Sequence, residues 1–421
     1  MSAKFAGVKG MNDLLAPDIG HWHRLESVAR EVFGAYGFDE VRTPVVEDTA
    51  LFVRSVGEAS EIVGKEMYTF KDKGDRSLSL RPEGTAPAAR AYIEHAVAQK
   101  EPVTRWFYMG PMFRYERMKT GRYRQFHQLG AEVYGAGEPS QDVEVMELAV
   151  HFLHRLGLSN VSLQINSLGV PEARAPYVAK VAAHFSAHEA SLSAEAKATL
   201  VRNPLRLLDS KDEALQALIA TAPAMVDFLD PASKEHFDEV QRLLKALDVG
   251  FSFNPRLVRG LDYYTRTAFE LVAPNPELGT ASTVCGGGRY DNLLGELGGP
   301  KIPAFGFAMG LERLCIAMGA AAAASTKAPV LFIATADATA KDEALKLATS
   351  LRHQGFKVDI DARFGSLKSQ MKRADKSLAH YALVLGEREL AQGKAQLKPM
   401  RGGGEPRDVV LAQLAQALAP V

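Results

Sequence analysis

Past residue 327, this chain of 421 residues alternates short apolar runs with longer amphipathic ones, and few small domains accommodate that order. Residues 330–334 read as a strand, 341–354 as a helix, 357–360 as a strand, 367–376 as a helix and 381–385 as a strand; a last helix is expected over about 408–419. Parallel neighbours need a long crossover, so this alternation predicts a small α/β domain over 328–421 with a largely parallel sheet. The stretch before it, 319–327 (GAAAAASTK), breaks both periodicities and reads as a linker or an exposed helix end.

Upstream the pattern differs. Trp22, Leu25, Val28, Ala29, Val32, Phe33 and Tyr36 recur at helical spacing, and Gly37 supplies a stop. Residues 40–46 read as a strand interrupted by Pro44, which favours an edge or an interface. Strands are expected at 105–109, 131–134 and 161–165, with helices at 86–99 and 141–156. Residues 168–247 turn Ala- and Leu-rich and mostly helical, as an insertion would. Strand character returns at 251–254, 263–272 and 305–309.

Composition narrows the function classes. Lys plus Arg and Asp plus Glu each number 50, so a nucleic-acid partner must be met by local basic patches and not by a global field. Two cysteines, Cys285 and Cys315, exclude a disulfide framework and a cysteine-rich zinc site, and suit a reducing compartment. Neither a signal-like apolar segment near the N-terminus nor a membrane-spanning run is visible, so a cytoplasmic protein is expected.

Five segments carry candidate chemistry. In residues 113–132 (FRYERMKTGRYRQFHQLGAE) the basic residues Arg114, Arg117, Lys119, Arg122 and Arg124 crowd around Gly121, making a hairpin able to hold phosphates or an RNA end. A solvated loop would look the same. In 80–86 (LRPEGTA), Glu83 and Thr85 stand at a helix mouth, either as a binding pair for an ammonium group or as an N-cap. In 258–270 (VRGLDYYTRTAFE), adjacent Tyr263 and Tyr264 would face opposite ways if they lay in a strand. Residues 285–291 (CGGGRYD) permit close backbone approach or a sharp bend. Residues 306–314 (GFAMGLERL) pass from a strand into a helix that starts with Glu312 and Arg313.

Taken in order, these segments resemble the signature motifs of class II aminoacyl-tRNA synthetases. GFDEVRTPVVE is similar to motif 1, FRYER…GRYRQFHQ to motif 2 and GFAMGLERL to motif 3. RGLDYYTRTAFE and GGGRYDNL, with LRPEGTA and NPLRLLDSK, resemble the histidyl-tRNA synthetases specifically, over essentially the whole chain. The resemblance implies an α+β fold: an antiparallel catalytic sheet flanked by helices, a helical insertion, and a C-terminal α/β anticodon-binding domain. The implied boundaries are 1–167 and 251–322 for the two parts of the core, 168–250 for the insertion and 328–421 for the last domain.

It also implies roles. Glu83, Thr85 and Gln128 would hold the histidine ammonium group, and Glu132 with Tyr263 and Tyr264 would line the imidazole slot. Arg114 and Arg259 would hold the α-phosphate as catalytic residues. Glu116, Phe126 and Arg313 would complete the ATP site, Phe126 stacking on adenine and Arg313 reaching the γ-phosphate. Arg117, Lys119 and Arg122 would meet the tRNA. Implied partners are histidine, ATP with Mg²⁺, tRNA(His) and a second copy of the chain; no metal ligand among the side chains is implied. The sequence departs from the family at Met118-Lys119, where bacterial members usually read Pro-Gln after the arginine at 117. Losing the amide weakens base readout there, and the added charge strengthens phosphate contact.

Overall fold

The computed structural model describes residues 5–57, 60, 62–210, 212–258, 263–278, 282–319 and 328–418. Two compact units divide at residue 322. In chain order the strands of the first are β1 (Asp39–Glu40), β2 (Val46–Asp48), β3 (Tyr68–Lys71), β4 (Ser77–Leu80), β5 (Thr104–Phe113), β6 (Gln125–Tyr134), β7 (Ser162–Ser167), β8 (Phe251–Phe253), β9 (Thr265–Val272), β10 (Thr283–Arg289) and β11 (Ala304–Gly310).

Eight of them form one sheet in the order β1-β5-β6-β11-β10-β9-β7-β8. Its interior pairings are antiparallel, and one parallel strand closes each edge. The expected strand over 40–46 is two strands. Pro44 cannot donate to a ladder, and the chain leaves the large sheet after Glu40 to enter a separate β2-β4-β3 sheet at Val46. The first piece does lie on an edge.

One face of the large sheet carries the main core. Leu129, Ala131 and Val133 alternate down β6 onto the helices Ile19–Ala35 and Pro139–Arg155, which bury Leu25, Ala29, Val32 and Phe33, and Met146, Ala149, Phe152 and Leu153. This two-residue alternation leaves Phe126, Gln128, Gly130 and Glu132 for the other face.

The insertion has its own small core, including Tyr177, Val181, Phe185, Leu207 and Met225. Its last helix, Pro231–Ala246, does not belong there: Phe237, Val240 and Leu244 join the main core. A buried network fixes that helix. Arg289, fully buried on β10, pairs with the equally buried Asp142 and lies 3.1 Å from Asp291, while His236 Nε2 stands 2.8 Å from Asp142 Oδ2. The arginine of the GGGRYD segment is therefore structural. Asp142→Ala is expected to cost about 3–5 kcal/mol, because it strands a buried guanidinium charge; urea unfolding of variant and wild type measures it.

In the second unit, β12 (Leu331–Thr335), β13 (Val358–Ile360) and β14 (Tyr381–Leu385) pair in parallel, with helices Lys341–His353 and Leu367–Lys376 as crossovers. Two further strands extend this edge, β15 (Lys394–Pro399) antiparallel to β14 and β16 (Arg407–Val410) antiparallel to β15. The expected last helix over about 408–419 starts later: residues 408–410 are extended because Val409 finds a buried place opposite Ala395, a 3₁₀ turn follows at Leu411–Gln413, and α-helix begins at Leu414. Residues 320–327 of the expected linker lie outside the described residues.

Candidate active site

The sheet face away from the core is floored by glycine, and that absence of side chains makes the site. Gln128 pairs with Gly110 on β5 and Gly310 on β11, Gly130 with Tyr108, and Glu132 with Gly306. A Cβ on Gly306 would lie 2.0 Å from Glu132 Oε2 and 2.7 Å from the Tyr290 hydroxyl oxygen. One on Gly130 would enter the Tyr108 ring at 2.2 Å, and one on Gly110 would meet the Arg81 guanidinium at 2.5 Å. Larger residues there would evict the groups that line the pocket.

Glu132 is fully buried. The Tyr108 hydroxyl donates to its Oε1 at 3.1 Å and the Tyr290 hydroxyl donates to its Oε2. Burial pushes its carboxyl up to about 8, although the hydrogen bonds from Tyr290, Thr85 and Tyr108 oppose this. Tyr263 and Tyr264 pack with Tyr290 in one aromatic cluster, with centroid separations of 4.7, 5.5 and 6.2 Å. They precede β9, so the expectation that strand geometry turns them to opposite faces is corrected: both are buried on the same side. Arg174 of the insertion donates to the Tyr264 carbonyl.

Glu83 fits the capping reading of its segment. Its carboxylate accepts from the backbone N–H of Thr85 and of Ala86, each at 2.8 Å, and so caps the helix Thr85–Glu94. It is also buried, and desolvation raises its pKa against the capping bonds and the charge of Arg114. Thr85 Oγ1 lies 3.5 Å from the Tyr108 hydroxyl, which links this cap to Glu132. On the same face of β6 as Glu132, Gln128 is nine-tenths buried, and its Oε1 has no hydrogen-bond partner among the described residues. A buried acceptor of that kind has a standing demand for a donor.

The basic hairpin forms as expected. β5 and β6 pair from Phe113–Gln125 inward, and Lys119 and Arg122 exchange backbone bonds at its tip. Gly121 takes φ +70° there, and a Cβ on it would press Arg313 Cγ at 3.0 Å, so the motif 3 arginine packs against the turn. Arg114 donates through Nε to the Pro82 carbonyl at 2.8 Å, and its guanidinium stands 5.2 Å from the Phe126 ring centroid. Burial lowers its pKa against the pull of Glu116, Glu66 and Glu83. Glu116 takes the Arg122 guanidinium at 3.2 Å, whereas Arg117 and Lys119 are exposed and make no such pairing among the described residues. Arg259, with residues 260–262, lies outside the described residues. The flanking chain is anchored by Asn166, which donates to the Leu257 carbonyl at 2.9 Å.

Sequence reading missed Tyr108 and Tyr290, whose hydroxyls donate to Glu132. The only local signal was Tyr290 inside the GGGRYD segment; Tyr108 gains meaning only through cross-strand neighbours. Among the described residues no three His, Cys, Asp or Glu side chains are grouped to hold a metal ion.

Comparison with known proteins agrees with this architecture. The family model described as histidyl-tRNA synthetase matches residues 10–314, and an anticodon binding domain model matches 327–419. The histidine–tRNA ligase of Anaeromyxobacter dehalogenans is 48% identical over 98% of this chain and 99% of its own, and that of Thermosynechococcus vestitus is 47% identical over 94% and 92%. The apo histidyl-tRNA synthetase of S. aureus superposes with a TM-score of 0.82 at 38% identity, covering 99% of this chain and 100% of that one. The chain belongs to the histidyl-tRNA synthetase family.

Proposed function

We infer that this chain activates histidine with ATP and then esterifies it to tRNA(His). The observation that carries the reading is the cluster of Glu83, Gln128 and Glu132, buried together over a glycine floor with one amide oxygen still unpartnered. An α-ammonium group supplies the N–H donors that Gln128 Oε1 and the Glu83 carboxylate accept, with Thr85 completing the set. The imidazole enters between Glu132 and the Tyr263–Tyr264 pair, and Tyr108 and Tyr290 fix the carboxylate that meets it.

Phe126 stacks on the adenine, Arg313 takes the γ-phosphate, and Glu116 lines the nucleotide site. The histidine carboxylate attacks the α-phosphorus and pyrophosphate leaves. Arg114 and Arg259 bind the non-bridging oxygens as charge accumulates on them, so the protein's work is alignment and electrostatic stabilisation. Magnesium arrives with ATP as part of the substrate, held chiefly by phosphate oxygens and water.

The parts of the chain divide accordingly: 1–167 and 251–322 as catalytic core, 168–250 as insertion, 328–421 as anticodon-binding domain. The small core between Tyr177 and Met225 supports the insertion as a separate body. Motif 1 at a sheet edge suits a homodimer. Two free cysteines, and no helix among the described residues long and apolar enough to cross a membrane, suit the cytoplasm.

Arg117, Lys119 and Arg122 stand exposed at the hairpin tip, where they would meet the acceptor end of the tRNA. Histidine charging of tRNA(His) transcripts tests the reading. Transcripts bearing the extra 5′ guanosine are expected to charge well and those without it poorly, through Arg117; equal charging of the two would remove that contact.

A further inference from the structure

Behind the catalytic sheet, on the face opposite the glycine floor, lies a cavity of about 420 Å³. Its walls come from residues 12–14, the start of the helix Ile19–Ala35, the β6 residues Gln125 and His127, and the helix Leu311–Met318. Among the described residues no lysine or arginine lines it. Asp13, Asp18, Glu277 and Glu312 do, and the first three carboxylates make no hydrogen bond or ion pair among the described residues. His21 also lines it, more than nine-tenths buried, with Nδ1 lacking a hydrogen-bond partner among the described residues. A surplus of negative charge and an unused ring nitrogen both call for a cationic N–H donor. Leu14, Trp22 and Ile316 supply the apolar wall, and Trp22 is the best aromatic surface for a cation.

The cavity is wired to the catalytic face. Both oxygens of Glu312 accept from the His127 backbone N–H, at 2.9 and 3.0 Å, and Oε1 lies 3.0 Å from His127 Nδ1. The Trp22 and His127 rings meet edge to face at 4.8 Å. His127 sits between Phe126 and Gln128, whose side chains point to the other face of the same strand. Arg313 follows Glu312 directly.

We propose that this cavity binds a planar aromatic cation of the arylamidine or arylammonium class, and that its occupancy weakens histidine binding by drawing Glu312 from His127. A cationic N–H donor competes with the His127 N–H for the same two oxygens, and β6 shifts when that clamp opens. The binding claim stands by itself; the coupling claim rests on the proposed role of Gln128.

Titration calorimetry on the full chain with benzamidine as probe tests it. Wild type is expected to bind with a Kd of about 1 mM. An Asp18→Asn/Glu277→Gln variant should bind at least about threefold more weakly, with unchanged histidine activation when benzamidine is absent. In wild type, the KM for histidine should rise with benzamidine and level off at about fivefold, the mark of two sites that influence each other. Absence of binding, or equal affinity in the variant, overturns the site. A KM that climbs linearly without a plateau places benzamidine in the histidine slot and also overturns it. Binding with no change in KM overturns the coupling through Glu312.

Discussion

Glu132→Ala is expected to lower kcat/KM for histidine in adenylate formation by about 10³–10⁴-fold, since a site that hydrogen-bonds a substrate ring loses nearly all discrimination once that partner is gone. The change removes the proposed partner of the imidazole and leaves the Tyr108 and Tyr290 hydroxyls without their shared carboxylate in a buried site. Unpaired donors there destabilise the fold as well, so Glu132→Gln, which keeps the volume, is the companion variant. Its loss should fall on KM for histidine far more than on KM for ATP. The same residue predicts a pH dependence. Its folded pKa of about 8 lies above the ordinary 4.5, so the folded state binds more protons than the unfolded one between those values. Stability therefore falls as pH rises through that window. Urea midpoints should decline more steeply across it for wild type than for Glu132→Gln; parallel declines would show that Glu132 does not titrate there.

Arg114→Ala should reduce the turnover of ATP–pyrophosphate exchange by about 10²–10³-fold, the usual loss when one group stabilising a transition-state charge is removed. Arg259→Ala should match it. Arg114 is held by the Pro82 carbonyl on one side and by Phe126 on the other, so its fork is preorganised before ATP enters. Lysine supplies charge without that fork and should restore little. Histidine affinity, measured by equilibrium binding without ATP, should change by no more than about threefold in each variant. If either alanine variant keeps near-normal exchange, the α-phosphate is stabilised elsewhere.

Much of this was legible from residue order because the informative signals were local. The helix Leu367–Lys376 and the strand Tyr381–Leu385 fall where their periodicity puts them. The turn at Gly121 and the hairpin around it follow from a Gly among basic residues between two strand-like flanks. What escaped depends on non-local partners. Residues 408–410 read as the start of the last helix and become part of a strand because an open edge at β15 accepts them. Arg289 sits in a segment that reads as ligand-binding, yet Asp142, 147 residues away, makes it structural. Tyr263 and Tyr264 share a side because they precede the strand, which side-chain alternation cannot reveal. Tyr108 from the middle of β5 and Tyr290 from just past the end of β10 converge on Glu132, a meeting that only the folded sheet arranges.

The proposed imidazole slot at Glu132, beside the proposed ammonium site at Glu83 and Gln128, would select histidine. Amino-acid-dependent ATP–pyrophosphate exchange, run with each of the twenty amino acids in turn, measures this directly. Label should enter ATP with histidine alone. Exchange supported by a different amino acid, or none with histidine, would contradict the assignment of Glu132 and its neighbours.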